Sequence, residues 1–349
     1  CASKSIQVKT FAAMRMAAMG ETVLVTGGTG FVAGWTIVEL LKRGYQVRTT
    51  VRSAAREADV RRAVGREVEA GERLGVVVAD LTADAGWDEA AAGCASVLHI
   101  ASPLGNGAGD AGLIAAARDG TLRVLGAAVR AGAGRVVMTS STAACTPAEP
   151  LARAIDEADW TDPDQPGLAA YRRSKVLAER AAWDFMASAP QTSLVTLLPG
   201  AIFGPVLSRD QLGSVGIIQR LLQGQPPALP RLAFNITDVR DLAALHVRAM
   251  ETPQAGGQRF IVMGEALWYG EVAKALKARL GAKAAKVPTA SMPDLVARGL
   301  AAASPQMKAL LPLLGRTQAF STQKAREVLG FAPRPAEQTV GDCGASLVD

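Results

Sequence analysis

The sequence predicts an α/β protein built on a doubly wound parallel sheet. Short runs that are nearly continuous in Val, Ile and Leu alternate with longer amphipathic segments along the chain. Strands buried on both faces are typical of parallel sheets, and regular β-α-β alternation places helices on both faces of such a sheet. The predicted strands span residues 22–26, 46–51, 74–79, 96–101, 135–140, 194–198 and 259–262.

Predicted helices lie between these strands. Residues 31–43 and 113–131 have helical periodicity, and each segment is followed by a glycine, Gly44 or Gly132. Glycine just past a helix is a stop signal because it accepts the left-handed backbone conformation. Residues 236–250 are predicted as a further helix, capped by an aspartate, before the last strand.

The alternation weakens after Pro199. Residues 203–230 and 284–314 contain Pro, Gly and helix-like pieces without clear strands. We therefore expect a sheet core that is interleaved with a smaller C-terminal lobe. The expected core spans residues 21–200 and 234–265, the lobe spans 201–233 and 266–349, and residues 1–20 form an N-terminal extension, interpreted as an expression remnant or a leader.

Composition argues against several classes of protein. The net charge is +6, but the basic residues are scattered and not interleaved with aromatics, so we expect no nucleic-acid partner. The chain has no apolar run of eighteen residues, so no membrane span is expected. Four cysteines without CxxC spacing and two histidines predict no metal site, and free thiols favour the cytoplasm.

The first predicted strand runs directly into a glycine cluster. In TVLVTGGTGFVAGW (22–35), Gly27, Gly30 and Ala33 have the spacing GxxGxxA. Gly27 permits a tight turn, and Gly30 lets backbone N–H groups approach a pyrophosphate at the positive end of the following helix. The turn predicts a Rossmann-type dinucleotide site, with a tight β-α turn that binds nothing as the alternative. The predicted contacts here are Gly27, Thr29, Gly30, Phe31 and Val32.

The ends of the next two predicted strands indicate which dinucleotide binds. No Asp or Glu follows the second strand, where one would bind a ribose 2′-hydroxyl, and Arg52 stands there instead. A cation suits a 2′-phosphate, so we predict NADP(H) as the cofactor, with an ordinary surface arginine as the alternative. Asp80 and Leu81 follow the third strand, where Asp80 could accept from the adenine amino group or cap a helix.

A tyrosine and a lysine in one helix-like segment predict acid–base chemistry. YRRSK places Tyr171 and Lys175 four residues apart, so both face the same side of a helix. A free tyrosine has a pKa of about 10, and a neighbouring ammonium stabilises the phenolate. Tyr171 then becomes a usable proton donor near neutral pH. Such a pair can also decorate a helix surface, but neither of the other two tyrosines has a lysine at this spacing.

The fifth predicted strand ends in a cluster of hydroxyl residues, VVMTSSTAACT. This is the carboxyl edge of the sheet, where ligands bind in open α/β folds. Ser141 could donate a hydrogen bond to a substrate carbonyl, or serve only in a turn. His99 and His246 are predicted as core histidines, and Cys145 as a pocket-lining residue without a nucleophilic role.

In their order along the chain, these motifs resemble those of an extended short-chain dehydrogenase/reductase. The resemblance rests on VLVTGGTGFVAG, VRSAAR, ADLT, VLHIASP, VVMTSSTAA, YRRSKVLAE, LLPGAIFGP and TDVRDLAALHVRAM. It is greatest to the dihydroflavonol-reductase-like branch of aldehyde and ketone reductases, and it extends from about residue 22 to residue 335.

The resemblance implies a catalytic set of Ser141, Tyr171 and Lys175. In such enzymes the tyrosine protonates the carbonyl oxygen as hydride arrives from NADPH, and the lysine also holds the nicotinamide ribose. Tyr171 and Lys175 are expected to contact the cofactor as well, and the further contacts expected are Ala101, Ser102, Thr139, Pro199, Gly200, Ile202 and Ser214. The expected substrate pocket contains Pro103, Leu104, Thr142, Thr146 and Val206, together with the apolar stretch 291–314.

The expected activity is NADPH-dependent reduction of a ketone or aldehyde to an alcohol, by a monomer or homodimer. GLAAYRRSK stands where plant cinnamoyl-CoA reductases carry an NWYCYGK-like segment, which argues against a CoA thioester. Thr146 stands where plant dihydroflavonol reductases often have Asn, which argues against a flavonoid. The alternatives are an NAD-retaining sugar-nucleotide epimerase or dehydratase, disfavoured by Arg52, and a non-enzymatic dinucleotide sensor, disfavoured by Tyr171 and Lys175.

Overall fold

The structure is a computed structural model that describes residues 20–103, 109–209, 213–302 and 310–348. Its main sheet consists of strands β1 (Thr22–Val25), β2 (Gln46–Val51), β3 (Leu74–Val78), β4 (Cys94–His99), β5 (Arg135–Thr139), β6 (Ser193–Pro199) and β9 (Gln258–Val262). Their order is β3-β2-β1-β4-β5-β6-β9, and all neighbouring pairs are parallel. The chain order reverses between β1 and β4, which is where ligands bind in open α/β sheets.

Helices cover both faces of the main sheet, and others pack on the small sheet described below. The helices of the described residues are α1 (Phe31–Lys42), α2 (Glu57–Val64), α3 (Trp87–Ala91), α4 (Gly109–Arg130), α5 (Ala170–Ala187), α6 (Val215–Leu222), α7 (Val239–Glu251), α8 (Tyr269–Leu280), α9 (Asp294–Ala301), α10 (Gln323–Leu329) and α11 (Ala336–Val348). One apolar cluster joins the sheet to α1 and α7 through Leu40 and Leu242. A second cluster on the opposite face joins it to α4 and α5 through Val124 and Ala182.

The predicted fold class is confirmed. Each of the seven predicted strands is present, and their ends differ from the predicted ones by at most two residues. Nearly continuous Val/Ile/Leu runs therefore marked buried parallel strands correctly. Helix α4 begins four residues before the predicted start because its exposed first turn, GDAG, lacks the apolar residues that the periodicity detects.

A second, small sheet was not predicted. It contains β7 (Ala201–Phe203), β8 (Ala233–Asp238) and β10 (Ala266–Trp268), in the order β10-β8-β7. Because two of these strands have only three residues, neither shows a period-2 pattern. The predicted helix over 236–250 is corrected accordingly: its first three residues end β8, and the Asp238 side chain accepts from the Arg240 N–H at 2.8 Å to cap α7.

The small sheet has an apolar core of its own. Phe203 and Ile236 pack there with residues of α6, α8 and α11, including Ile218, Leu276 and Val340. The division into an interleaved core and lobe stays a prediction, since this cluster also touches Phe31 of α1. Among the described helices, none combines the length and the apolar character needed to cross a bilayer.

Candidate active site

The glycine turn lies at the carboxyl end of β1 and leads into α1. Gly27 has a φ of +76°, and a Cβ at this position would lie 3.0 Å from the Ala101 Cβ. Gly28, which the sequence reasoning did not include, is equally constrained, because a Cβ there would lie 2.5 Å from Thr49 Oγ1. The turn therefore requires glycine for its own packing, whether or not a ligand is bound.

The beginning of α1 fits an anionic ligand. Gly30 is the N-cap residue, and no side chain caps the helix or places an acidic group in its first turn. The positive end of the helix dipole and its first N–H groups are therefore left for another acceptor. A cofactor pyrophosphate would satisfy both, so the residues present fit the dinucleotide that the sequence predicts.

A buried threonine and histidine hold the ends of β1 and β4 together. Thr26 Oγ1 accepts from the N–H groups of Ile100 at 3.0 Å and Ala101 at 2.9 Å, so its hydroxyl proton is available for His99 Nδ1 at 3.0 Å. His99 Nε2 then donates to Thr121 Oγ1, at 3.3 Å. This arrangement fixes Ala101 against the glycine turn.

Both histidines of the chain are buried in the core, as predicted, and the structure keeps them neutral. Burial, with a contribution from Lys175, lowers the pKa of His99 to about 3. Burial lowers the pKa of His246 to about 4. His246 Nδ1 donates to Leu242 O at 2.8 Å, and its Nε2 accepts from the Thr139 hydroxyl at 2.7 Å. The Thr139 hydroxyl, predicted as a cofactor contact, therefore donates its proton to the core histidine.

We expect these histidines to make stability fall with acidity. Below the ordinary histidine pKa of about 6.5, both histidines become protonated in the unfolded chain but stay neutral in the folded chain. The free energy of unfolding therefore decreases as pH falls. Each histidine should contribute a loss of about 2 kcal/mol between pH 7 and pH 5. Urea unfolding at both pH values checks this: the decrease in His246→Gln should be smaller than in the wild type by that amount. An identical decrease would contradict it.

The residues predicted to select NADP(H) lie at the ends of β2 and β3. Arg52 is exposed directly after β2 and has no hydrogen-bonded partner among the described residues. Asp80 Oδ1 accepts from the Thr82 backbone at 2.8 Å and the Thr82 hydroxyl at 2.7 Å. These bonds, with a smaller contribution from Arg52, hold the Asp80 pKa below its usual value. Leu81 packs against Gly120 of α4.

Ser141, Tyr171 and Lys175 come from β5 and α5. Ser141 follows β5 and caps the short turn Thr142–Ala144, where its Oγ accepts from the Ala143 N–H at 3.1 Å. Tyr171 lies in the first turn of α5 and is 43% exposed, whereas Lys175, one turn later, is only 7% exposed. The tyrosine can therefore meet a ligand from outside while the ammonium is shielded from water.

Lys175 shares a small hollow with several residues predicted to bind the cofactor. Ala101, Ser102 and Thr139 line it, together with Pro103 from the predicted substrate pocket. These residues come from the ends of β4 and β5, and the parallel sheet places both ends at one edge. The structure thus brings together residues that are far apart in the sequence.

The other residues predicted to contact the cofactor or the substrate lie in several different elements of the structure. Gly200 donates its N–H to Thr237 Oγ1 at 3.0 Å and packs so closely on Asn235 that a Cβ would collide with its carbonyl. Thr146 Oγ1 donates to Thr142 O at 2.7 Å. Val206 is buried in the core of the small sheet. Pro199 ends β6, Ile202 lies in β7 and Ser214 is the N-cap of α6, while Leu104 lies outside the described residues.

A buried ionic cluster beneath this edge was not anticipated. Glu179, fully buried one turn after Lys175, accepts from Ser140 Oγ at 2.6 Å, from Thr196 Oγ1 at 2.7 Å and from Arg259 Nε at 2.8 Å. The Arg259 guanidinium also lies 3.6 Å from the centre of the Trp160 ring. The sequence contained one signal of this cluster, because Glu179 in YRRSKVLAE lies on the side of the predicted helix that faces the core.

Cys145, which was predicted to line a pocket, is a core residue in the structure instead. It is fully buried beside Ile155 and Leu198. Burial raises the pKa of its thiol to about 12, so it stays protonated at neutral pH. Within the described ranges, no three His, Cys, Asp or Glu side chains lie close enough to hold a metal ion.

Comparison with known proteins identifies the family. The profile of the NAD dependent epimerase/dehydratase family matches residues 23–264. The chain belongs to this epimerase/dehydratase family. The ketoreductase azaE of Aspergillus niger is a relative that is 31% identical over 359 aligned positions, covering 96% of this chain and 99% of that protein.

Other similar proteins agree with the assignment. Cinnamoyl-CoA reductase 1 of Oryza sativa subsp. japonica is 35% identical over 74% of this chain and 75% of that protein. The structure of Gre2 from Candida albicans in complex with NADPH is similar, with a TM-score of 0.79 and 28% identity over 94% of this chain and 98% of that one. The resemblance to extended short-chain dehydrogenases/reductases, and the Rossmann-type fold it implied, are confirmed.

Proposed function

We propose that the protein reduces a ketone or aldehyde to an alcohol with NADPH, using Tyr171 as the proton donor. The observation that carries the proposal is the placement of an exposed Tyr171 one helical turn from a shielded Lys175, at the sheet edge reached by the glycine turn. A ketoreductase relative and a structural neighbour solved with NADPH support the reaction and the cofactor.

The chain's own residues would hold the cofactor along the carboxyl edge of the sheet. The glycine turn and the first N–H groups of α1 suit the pyrophosphate, and Arg52 suits the 2′-phosphate. Ala101 and Ser102, which line the same hollow as Lys175, suit the inner portion of the cofactor. When bound, NADPH supplies the hydride that reduces the carbonyl carbon.

Three side chains would act on the carbonyl oxygen, namely those of Ser141, Tyr171 and Lys175. The Ser141 Oγ already accepts from Ala143, so its own proton is free to donate to the oxygen and orient it. The Tyr171 hydroxyl transfers its proton as negative charge develops on that oxygen. The Lys175 ammonium stabilises the phenolate that remains, and its low exposure strengthens this interaction because water screens it less.

The test of the reaction is NADPH oxidation against a panel of aryl ketones, β-keto esters and aldehydes. Turnover with NADPH is the expected result. If the protein shows no turnover and retains NAD through purification, the hypothesis of an NAD-retaining epimerase or dehydratase replaces this proposal. If it binds NADPH but shows neither turnover nor retained NAD, the non-enzymatic sensor is favoured.

Cofactor choice gives a separate prediction. Arg52→Ala should raise the KM for NADPH about tenfold or more and change the KM for NADH little, because only NADPH carries the 2′-phosphate. The exposed Arg66, in the turn after α2, provides the matched control Arg66→Ala, for which both constants should be unchanged. Equal effects of Arg52→Ala on the two cofactors would contradict the assignment.

The proposal also includes the cellular compartment and the oligomeric state of the protein. Cys94, Cys145 and Cys343 are free and buried, which supports a reducing compartment, and we expect the cytoplasm. We expect a monomer or homodimer that binds a small-molecule carbonyl substrate and no nucleic acid, and light scattering after gel filtration will distinguish the two states.

A further inference from the structure

The proposed catalytic residues lie on two separate elements, and a buried hydrogen bond joins these elements. Ser141 follows strand β5, whereas Tyr171 and Lys175 lie in helix α5. Glu179 belongs to the same helix, and its Oε2 accepts from the Oγ of Ser140 at 2.6 Å. Because Ser140 directly precedes Ser141, this bond connects the end of β5 to the helix that carries the other two residues.

Both partners of this hydrogen bond are shielded from water. Glu179 is fully buried, and Ser140 is only 2% exposed. A hydrogen bond to a charged acceptor is strong, and it is strengthened further where the local dielectric constant is low. The backbone N–H of Ser140 also donates to Leu197 O of β6, at 2.8 Å. Ser140 is therefore fixed through its main chain to the sheet and through its side chain to α5.

The carboxylate of Glu179 is in turn held in one orientation. Arg259 Nε donates to its Oε1 at 2.8 Å, and Arg259 Nη2 donates to its Oε2 at 3.3 Å. Arg259 Nη1 donates to the carbonyl oxygens of Glu157 at 2.6 Å and Asp159 at 2.9 Å. Two-point contacts between a guanidinium and a carboxylate fix geometry as well as adding energy. The position of the atom that accepts from Ser140 is thus determined by three segments of the chain.

Thr196 makes a comparable bond to the same carboxylate from a different strand. Its Oγ1 donates to Glu179 Oε1 at 2.7 Å, and the residue is fully buried. Thr196 lies within β6 and is paired with Met138 of β5, so it lies deeper in the sheet than Ser140. Two hydroxyl groups therefore donate to one carboxylate, but only Ser140 is adjacent to a proposed catalytic residue.

We propose that Ser140 and Glu179 are positioning residues, whose hydrogen bond sets the distance between Ser141 and Tyr171. This inference rests on the proposed function, because it concerns the carbonyl oxygen on which Ser141 and Tyr171 would act together. Groups that act on one atom must be held to within about 0.5 Å of the productive geometry. Loss of the bond between Ser140 and Glu179 is therefore expected to lower the rate and to leave cofactor binding unchanged.

The experiment compares two variants that each remove one hydroxyl donor to Glu179. In Ser140→Ala, kcat for a ketone or aldehyde that the wild type reduces should fall about tenfold or more, while the KM for NADPH stays at the wild-type value. In the matched control Thr196→Val, kcat and KM should both stay at the wild-type values. Urea unfolding should show similar losses of stability in the two variants, because each loses one buried hydrogen bond to the same carboxylate.

A third variant provides a graded test of the hydrogen bond. Ser140→Cys keeps a donor at this position, but a thiol donates more weakly than a hydroxyl. Its kcat should lie between that of the wild type and that of Ser140→Ala. A Ser140→Cys enzyme that is no faster than Ser140→Ala would contradict a role for the hydrogen bond in positioning.

Crystal structures give a readout that does not depend on turnover. In Ser140→Ala with NADPH bound, the separation between Ser141 Oγ and Tyr171 Oη should differ from that in the wild type by about 0.5 Å or more. In Thr196→Val with NADPH bound, it should be unchanged. This measurement tests the positioning role even in a protein for which no substrate has been found.

The outcomes separate this inference from the proposed function. If the wild type is active and the Ser140→Ala and Thr196→Val variants lower kcat equally, or if neither lowers it, the buried cluster serves stability alone and the inference is wrong. A raised KM for NADPH with an unchanged kcat in Ser140→Ala also overturns it. If the wild type reduces no carbonyl, the proposed function fails, and the separation between Ser141 and Tyr171 in the two variants decides the inference.

Discussion

Replacement of Tyr171 by Phe is expected to lower kcat about 10³-fold and to leave NADPH affinity essentially unchanged. The substitution removes only the hydroxyl, so the proton for the developing alkoxide is lost. Tyr171 is 43% exposed, and no hydrogen bond of its hydroxyl contributes to the fold among the described residues. The variant should therefore fold like the wild type.

The measurement combines initial rates of NADPH oxidation with NADPH affinity from fluorescence titration. Tyr45→Phe is the matched control, because Tyr45 precedes β2 at the opposite edge of the sheet and donates to Glu251 Oε1 at 2.8 Å. It should keep the wild-type kcat. A Tyr171→Phe enzyme that retains more than about a tenth of the wild-type kcat would exclude this tyrosine as the proton donor.

Replacement of Glu179 by Ala is expected to lower the free energy of unfolding by about 3–5 kcal/mol. The carboxylate is fully buried, and its loss would leave Arg259 charged, buried and without its acidic partner. Ser140 and Thr196 would lose their acceptor at the same time. Breaking a buried ion pair from one side is costly because the remaining charge is not solvated.

Urea unfolding measures this effect, and an exposed ion pair provides the comparison. Asp88 and Arg130 lie 2.6 Å apart with side chains 73% and 63% exposed, so Asp88→Ala should cost about 1 kcal/mol or less. The double variant Glu179→Leu/Arg259→Met removes both buried charges and should recover part of the lost stability. If Glu179→Ala and Asp88→Ala lower the free energy of unfolding equally, the buried cluster contributes little to the stability of the fold.

Much of the fold could be predicted because its signals are local. The strands of the main sheet are buried on both faces, so each appears in the sequence as an apolar run of its own. The glycine turn was predictable for the same reason, since Gly27 needs a positive φ that few other residues adopt. Tyr171 and Lys175 were recognisable as a pair because helical spacing alone places them on one side of α5.

Other features depend on segments that meet only in the folded chain. The three-residue strands β7 and β10 are too short to show a period, and they exist because β8 pairs with both of them. Glu179 and Arg259 are 80 residues apart, so no spacing rule connects them. A cavity beside the small sheet is likewise lined by three segments that are distant in the sequence, at residues 229–231, 268–270 and 289–294.

The sequence by itself therefore determined the parallel sheet, the dinucleotide turn and the tyrosine–lysine helix, because hydrophobic period, glycine conformation and helical spacing are set by neighbours along the chain. Only the tertiary structure decided the neutral state of His99 and His246, the buried ionic cluster below Ser141 and the shape of the cavity. Burial and long-range pairing are the physical cause of each, and both arise when elements that are distant in the sequence pack together.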